Sequence, residues 1–300
     1  MRQIVGGRNF RLCIAHRFKP IYISLLATRL PVIGIHHAFG VYKRYMRRWF
    51  ISRFRSRLLL LGVSNAVRDE IRADLPAWAP ARIETLYNRI DVAAVQAEQV
   101  SREDARKYLG LPQDAWIVGN VGRLHPDKDQ ATLIRGFATA LPELPPASML
   151  AIMGSGRLED QLKGLIKRLG LDGKVLLLGQ VKNGRRYFKA FDVFALTSDH
   201  EPFGMVLLEA MAADVPLISS DCGGAREVVA GPGHLFPLGN HAELARVLQE
   251  VAAASNAQLQ NKSKVMPGTA LGTYTDGAAR KRFFETLEKS GLCQNSTQAS

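Results

Sequence analysis

Acidic residues are scarce in the first third of this sequence. Residues 1–90 hold 4 Asp+Glu against 17 Lys+Arg and so carry the whole net charge of +13, whereas residues 91–300 hold 23 of each sign. That imbalance excludes an electrostatically neutral front and calls for an anionic partner there, either a membrane surface or a nucleic acid. Cysteine is scarce too. Cys13, Cys222 and Cys293 are the only three, scattered and without a CxxC pair, which excludes a disulfide framework and argues for reduced thiols in the cytosol. No apolar run reaches the roughly 18 residues that a membrane span needs. The first residues, Met1-Arg2-Gln3-Ile4-Val5-Gly6-Gly7, lack the apolar core of a secretory leader, and no solenoid-type repeat is present.

What is there is enough for real cores. The 300 residues are 47% hydrophobic, and that length points to roughly two domains. The second half alternates between apolar runs and helical patterns. Strands are expected at Trp116–Val121, Met149–Met153, Val175–Leu178, Val193–Leu196, Leu217–Ser219 and His234–Phe236. Helices are expected at Ala131–Ala140, Leu158–Leu169, Arg186–Phe191, Val206–Ala213, Arg226–Val229 and Ala242–Ala253. Strand then helix with short Gly-rich joints means an α/β fold with a parallel sheet covered on both faces. The front alternates as well, with strands at Arg11–Ala15, Val32–Ile35 and Leu58–Val63 and a helix over Pro20–Thr28. Residues 88–100 read as a polar connection, so the domains are expected at 1–95 and 96–277. Ser101-Arg102-Glu103-Asp104 is a capping box opening a helix. Residues 255–276 read as loosely structured, and Ala278–Lys289 returns to helix, packing back on the first domain.

The most informative stretch is Glu201-Pro202-Phe203-Gly204-Met205-Val206-Leu207-Leu208-Glu209. It follows a buried strand and turns helical after Gly204. A strand, a tight Gly turn and a helix N-terminus make an anion site, because unpaired N–H groups and the helix dipole face the ligand. Carboxylates beside a phosphate site serve sugar hydroxyls, so Glu201 and Glu209 point to a nucleotide-sugar pocket. The bland alternative makes them a loop charge and a solvated helix residue. Strand Trp116–Val121 ends in Gly122-Arg123-Leu124-His125-Pro126-Asp127-Lys128-Asp129. Gly122 permits close backbone approach, and Arg123 and Lys128 are two cations suited to neutralising a diphosphate; the alternative is ordinary surface charge. Asp127 and Asp129 form an Asp-x-Asp, but they stand where a helix begins and read as capping residues, so no metal or other cofactor is expected.

The turns at Gly154-Ser155-Gly156, Gly179-Gln180-Val181 and Asp221-Cys222-Gly223-Gly224 either bring backbone to a ligand or simply turn the chain, and Cys222 reads as a packed thiol. His36 and His37 close the strand Val32–Ile35, each either a polar contact to sugar or phosphate or a partly buried structural histidine. They do not make a paired metal site, since adjacent residues on an extended chain point apart. His16 is equally ambiguous. Residues 41–57 carry seven basic residues and no acid. At helical spacing Tyr42, Met46, Trp49 and Phe50 share one face, which favours docking on an anionic membrane surface over a helix packed on the sheet. No recognition module supports nucleic acid.

Taken together, Gly122-Arg123-Leu124…Lys128, Glu201…Glu209-Ala210-Met211-Ala212 and Val215-Pro216-Leu217-Ile218-Ser219-Ser220 resemble the retaining GT-B glycosyltransferases of glycosyltransferase family four, of the bacterial cell-envelope polysaccharide or lipopolysaccharide type. The resemblance extends over nearly the whole chain to about residue 254. Ser64-Asn65-Ala66-Val67 and Asn88-Arg89-Ile90-Asp91 resemble the family's closing strand and interdomain joint, with Arg89 where Gly is common. The resemblance implies two Rossmann-like domains, a nucleotide-diphosphate sugar as donor, and a glycan or glycolipid as acceptor. It implies that Arg123 and Lys128 hold the diphosphate, that backbone at Pro202, Phe203 and Gly204 meets phosphate or sugar, and that Glu201 binds donor sugar hydroxyls and Glu209 the ribose. Gly122, Gly154 and Gly179 line the donor site, and His37, with His36 as fallback, stands near the reacting sugar. Measured against the family, the first domain is expected to be incomplete, about half short. The expected function is retaining hexosyl transfer by a cytoplasmic, peripherally membrane-bound protein. The alternatives are a sugar-nucleotide epimerase of the same fold and a non-catalytic remnant that binds nucleotide sugar or membrane.

Overall fold

The computed structural model describes residues 9–231, 233–254 and 271–292. The chain divides into two compact units, one of residues 1–89 with 276–300 and one of residues 90–275. Most of the stretch expected to be loose, residues 255–270, lies outside the described residues; just beyond it, Leu271 and Tyr274 are buried.

The first unit runs β1 (Cys13–His16), α1 (Phe18–Ala27), β2 (Val32–His36), α2 (Tyr45–Ser52), β3 (Leu58–Gly62), α3 (Asn65–Asp74) and β4 (Ile83–Thr85). Its strands are all parallel in the order β1-β2-β3-β4. β2 and β3, with sequences VIGIH and LLLLG, are buried along their whole length, as central strands covered on both faces are. A Cβ on Gly34 would stand 2.5 Å from the Ile21 Cδ1 of α1, so a larger residue there would displace the Ile21 side chain that packs on the strand. β1 is an edge strand on which Ile14 is 50% exposed.

Two expectations for this unit need correcting. Ser64–Val67 is not the end of a strand: β3 stops at Gly62, and the Ser64 hydroxyl accepts from the Val67 N–H at 3.1 Å to cap α3. Nor is 41–57 one amphipathic helix. Its α-helix is confined to Tyr45–Ser52, and a separate 3₁₀ turn follows at Arg55–Arg57. Tyr42 precedes the helix and is fully buried, and Phe50 packs on Tyr22 at a ring distance of 4.5 Å. The outward face is Tyr45, Met46 and Trp49, which are 67%, 67% and 47% exposed.

The second unit runs α4 (Val92–Glu98), α5 (Arg102–Leu109), β5 (Ile117–Val121), α6 (Gln130–Ala140), β6 (Met149–Met153), α7 (Glu159–Arg168), β7 (Val175–Leu177), β8 (Val193–Leu196), α8 (Met205–Ala212), β9 (Leu217–Ser220), α9 (Gly223–Val229), β10 (His234–Phe236) and α10 (His241–Ala253). Helix α4 lies where a polar connection was expected, started by the Asp91 carboxylate accepting from the Ala94 N–H. The helix expected at Arg186–Phe191 is a 3₁₀ run, Gly184–Ala190. The sheet is entirely parallel in the order β7-β6-β5-β8-β9-β10. Chain order therefore reverses between β5 and β8, and a doubly wound sheet opens its ligand crevice at the carboxyl ends of the strands at such a reversal.

Leu133, Phe137, Leu150, Ile152, Leu244 and Leu248 form part of the core, each with no exposed surface. Burying each of these side chains is worth about 1.5–3 kcal/mol. At the opposite, amino end, the fully buried Arg106 donates to the Ala190 and Gln113 carbonyls and to Asp192 Oδ2, at 3.0, 2.6 and 2.8 Å. Asp192 also accepts from the Ile117 N–H, so a satisfied ion pair ties α5 to the starts of β5 and β8. Helix α11 (Asp276–Ser290) belongs to the first unit, where Arg282 donates to the Thr85 carbonyl at 3.0 Å.

Candidate active site

In the second unit the loops after β5, β6 and β7 are stitched together by their backbones. The Gly122 N–H donates to Met153 O, Leu124 to Ser155 O and Gly154 to Gly179 O, at 2.9, 3.0 and 2.7 Å. Gly154 has φ +145°, and a Cβ there would stand 1.9 Å from the Gly122 carbonyl oxygen; one on Gly156 would stand 2.3 Å from Leu124 O. The Gly-x-Gly turn is therefore required by loop packing. Gly122 differs, because its Cβ would meet nothing closer than the Lys128 side chain at 3.8 Å. Packing tolerates a side chain at Gly122, and that side chain would lie beside the pocket that Gly122 lines.

That pocket, of about 380 Å³, is bordered by Gly122, Gly154, Gln180, Arg185 and Glu209. Glu209 projects from α8, and burial raises its carboxyl above the ordinary range while Arg185 pulls it back in part. Arg185 donates two hydrogen bonds to Glu98, at 2.7 and 2.6 Å. Sequence reasoning did not single out Arg185, which sits in a polar turn; only the 3₁₀ run beginning at Gly184 carries it to the pocket. Gly179 lends its carbonyl to Gly154 and has φ +65°.

Beside this pocket lies an ion pair. Lys128 Nζ is 2.6 Å from Glu201 Oε2, with side chains 19% and 10% exposed. Ser198 Oγ is 3.3 Å from the same carboxylate oxygen. Lys128 ends a 3₁₀ turn, Pro126–Lys128, held when its carbonyl accepts from Thr197 Oγ1 at 2.9 Å and the Asp127 carbonyl accepts from the Asp199 N–H at 3.0 Å. Arg123 has a different partner from Lys128: its guanidinium is 71% exposed and lies 3.4 Å from Asp127 Oδ2. Asp127 also engages His125 Nδ1. Asp129 caps α6 by accepting from the Thr132 N–H at 3.2 Å. The two carboxylates of the Asp-x-Asp thus have different neighbours.

Helix α8 follows Gly204, φ +94°, which supplies no side-chain cap; the Leu207 N–H donates to the Gly204 carbonyl at 3.0 Å, and a helix N-terminus of this kind suits an anion. The Phe203 side chain is 2% exposed and packs edge-on against Tyr274 at 5.4 Å, so it is withdrawn from any ligand. The Glu201 carbonyl accepts from the Gly224 N–H at 2.8 Å, and a Cβ on Gly224 would stand 2.3 Å from Pro202 O. The glycine at 224 therefore fits α9 against the 201–203 turn. Cys222 is a packed thiol that donates to Ser198 O at 2.9 Å, and burial raises its pKa.

In the first unit, His37 Nε2 lies 2.8 Å from His16 Nδ1 with the rings stacked 5.1 Å apart. Both border a pocket of about 640 Å³ with Tyr87, Arg89, Arg280 and Phe283. Burial, then His16 and Arg17, lowers the His37 pKa. The fallback His36 is excluded from a substrate role. It is wholly buried, hydrogen-bonds Tyr42 Oη at 2.9 Å, and burial pushes its pKa down to about 3.

The sequence model of the family described as glycosyl transferases group 1 matches residues 101–264. A Campylobacter jejuni relative named N-acetylgalactosamine-N,N'-diacetylbacillosaminyl-diphospho-undecaprenol 4-alpha-N-acetylgalactosaminyltransferase is 38% identical over 151 residues, 50% of this chain and 38% of the relative. The lipopolysaccharide core biosynthesis glycosyltransferase LpsE of Rhizobium meliloti is 31% identical over 150 residues, 49% of this chain and 43% of the relative. The chain thus matches less than half the length of either curated relative. Among solved structures, Anabaena HepE in complex with UDP superposes with a TM-score of 0.81 at 24% identity, covering 96% of this chain and 80% of that one. The structural likeness shows the fold, which is GT-B.

Proposed function

The chain belongs to the glycosyl transferases group 1 family, and from that premise we propose that it moves a hexose-type sugar from a nucleoside diphosphate to a glycan or glycolipid acceptor of the cell envelope, with retention of configuration and without a required metal. The observation that carries the proposal is the second unit's pocket. Strand-end backbone at Gly122 and the half-buried Glu209 border it, and the Lys128–Glu201 pair lies alongside. A pyrophosphate needs close backbone approach, cationic donors and a free helix terminus, and the residues near this pocket supply each. The UDP in the HepE structure and the diphospho-undecaprenol in the Campylobacter relative's name make a UDP-sugar donor and a lipid-linked acceptor the first pair to try.

In this reading Glu209 binds the ribose, Glu201 the donor sugar hydroxyls, and Lys128, Arg123 and the N–H groups at Gly204 the diphosphate. The bond from the anomeric carbon to the diphosphate oxygen breaks as the acceptor oxygen bonds from the same face, and the acceptor proton leaves on the diphosphate. Positive charge already in place stabilises the leaving group, and removing one such donor typically costs about 10²-fold in turnover. The exposed Tyr45, Met46 and Trp49 with the surrounding arginines rest on an anionic membrane surface, consistent with a peripheral cytoplasmic protein. Among the described residues no helix is long and apolar enough to cross a membrane.

The test is release of nucleoside diphosphate and transfer to acceptor over a panel of sugar nucleotides, UDP-sugars first. Turnover by the native chain, lowered about 10²-fold in Lys128→Ala and in Arg123→Ala, supports the proposal. Equal turnover in both variants refutes the assigned roles, and release of diphosphate by none of the donors refutes the activity.

A further inference from the structure

Away from the carboxyl ends of its strands, the first unit contains a second recess, of about 290 Å³, bordered by Arg55, Ser56, Trp78, Arg82 and two alanines. Arg55 and Ser56 lie in the 3₁₀ turn Arg55–Arg57 just before β3, and Arg82 ends the turn Pro80–Arg82 just before β4. Because the sheet is parallel, both turns stand at the amino edge. The pocket holding His16 and His37 lies at the carboxyl edge.

This recess has a specific electrostatic gap. Arg82 Nη1 is buried with no hydrogen-bond partner. Among the described residues Arg82 forms no ion pair, no carboxylate borders the recess, and burial alone lowers the Arg82 pKa. Nearby arginines are satisfied: Arg72 donates to Glu84 and to the Ile83 carbonyl at 3.0 Å each, and Arg57 donates to the Leu30 carbonyl at 2.8 Å. A buried guanidinium N–H without an acceptor is unfavourable unless something outside the chain supplies one. The second arginine and the Ser56 hydroxyl on the same rim add donors. Two guanidinium forks suit a group with several anionic oxygens, while Trp78 and the alanines offer an apolar wall to whatever that group is attached to. The recess also joins the basic segment 41–57, since Trp78 Nε1 donates to Ser52 Oγ at 3.3 Å at the end of α2.

We propose that the recess between Arg55 and Arg82 binds a phosphate ester. The phosphate oxygens accept from both guanidinium groups, and the organic substituent lies on Trp78. The ester comes either from a soluble phosphate compound or from the headgroup of an anionic lipid.

The experiment measures both sources on the full chain and on Arg82→Gln and Arg55→Gln, with circular dichroism to confirm folding. Arg55 is exposed, so its variant keeps the test valid if Arg82→Gln fails to fold. Calorimetric titration with glycerol 3-phosphate and with inorganic phosphate reads the soluble arm, and flotation with phosphatidylglycerol or phosphatidylcholine vesicles reads the lipid arm. Loss of about tenfold or more in affinity for the soluble ester in the variants supports the site and assigns it to a free ligand. A similar loss confined to phosphatidylglycerol vesicles supports it and assigns it to a headgroup. Folded variants that bind every one of these probes as the native chain does, a native chain that binds none, or equal binding of acetate overturn the proposal.

Discussion

The Lys128–Glu201 pair allows a quantitative test of how the site is built. The two groups are 2.6 Å apart and mostly removed from water, at 19% and 10% exposure, so the small value of a surface pair does not apply to them. Removing one member of a buried pair strands the other and costs about 3–5 kcal/mol, most of it desolvation that is no longer compensated. In Lys128→Ala the Glu201 carboxylate keeps the Ser198 hydroxyl at 3.3 Å, so the lower end, about 3 kcal/mol, is expected. In Glu201→Ala, Lys128 retains more exposure, and the cost is expected to be smaller, about 2 kcal/mol. The double variant leaves neither charge stranded and should lose less than the sum, giving a coupling of about 1.5–3 kcal/mol. Urea denaturation of the four proteins at pH 7, followed by tryptophan fluorescence, measures it, with Trp116 reporting on the second unit. A coupling under about 0.5 kcal/mol, the scatter of independent sites, would mean that the pair is not formed in solution, and the electrostatic account of the site would fall with it.

Two further predictions use different physics. Gly154→Ala places a Cβ 1.9 Å from the Gly122 oxygen at φ +145° and should cost about 3 kcal/mol or more. Gly122→Ala, whose nearest contact is 3.8 Å away, should change stability by less than about 0.5 kcal/mol yet weaken UDP binding; paired denaturation and calorimetry check this contrast, and equal destabilisation contradicts it. His36 is held neutral by burial, with its pKa lowered from 6.5 to about 3. The unfolded chain binds that proton first, so the His36 contribution is complete above pH 6.5 and is lost as pH falls, by about 2 kcal/mol at pH 5; denaturation midpoints between pH 7 and 5 should show this slope, and His36→Gln should flatten it.

Strands whose apolar runs are long were legible in sequence to within a residue or two. Met149–Met153 and Val193–Leu196 are examples, because burial on both faces leaves little choice of residue. Helix α3 was missed because only Val67 and Ile71 are buried along its ten residues. β4 was missed because Ile83 is the one apolar residue in its sequence, Ile83-Glu84-Thr85. The basic segment was misread for a tertiary reason: Tyr42 fits the apolar face of an ideal helix, but its hydroxyl is claimed by His36, which ends the helix short of it. The Lys128–Glu201 pair spans 73 residues of sequence, and no local pattern encodes it. What the sequence did carry was chemical type at the strand ends, where Gly122, Lys128, Glu201 and Glu209 could be singled out before their neighbours were known.

Preorganisation explains why so much of the candidate site is backbone. Electrostatic stabilisation is effective when donors already stand where charge will develop, since nothing then has to reorganise. Here the β5 and β8 loops are fixed to each other before any ligand arrives. Asn120 Nδ2 donates to Ala195 O at 2.7 Å, Thr197 Oγ1 to Lys128 O at 2.9 Å and the Asp199 N–H to Asp127 O at 3.0 Å. Gly154, Gly156 and Gly224 let neighbouring loops approach at distances that no side chain permits. Gly154 therefore sets one wall of the pocket and Gly122 leaves another open, while the bond to Glu201 fixes the Lys128 side chain beside Gly122. Lys128 does not need to be unpaired to serve a diphosphate. An ammonium has three N–H donors: one is held by Glu201 at 2.6 Å and a second reaches Ser198 Oγ at 3.4 Å, which leaves one for the ligand.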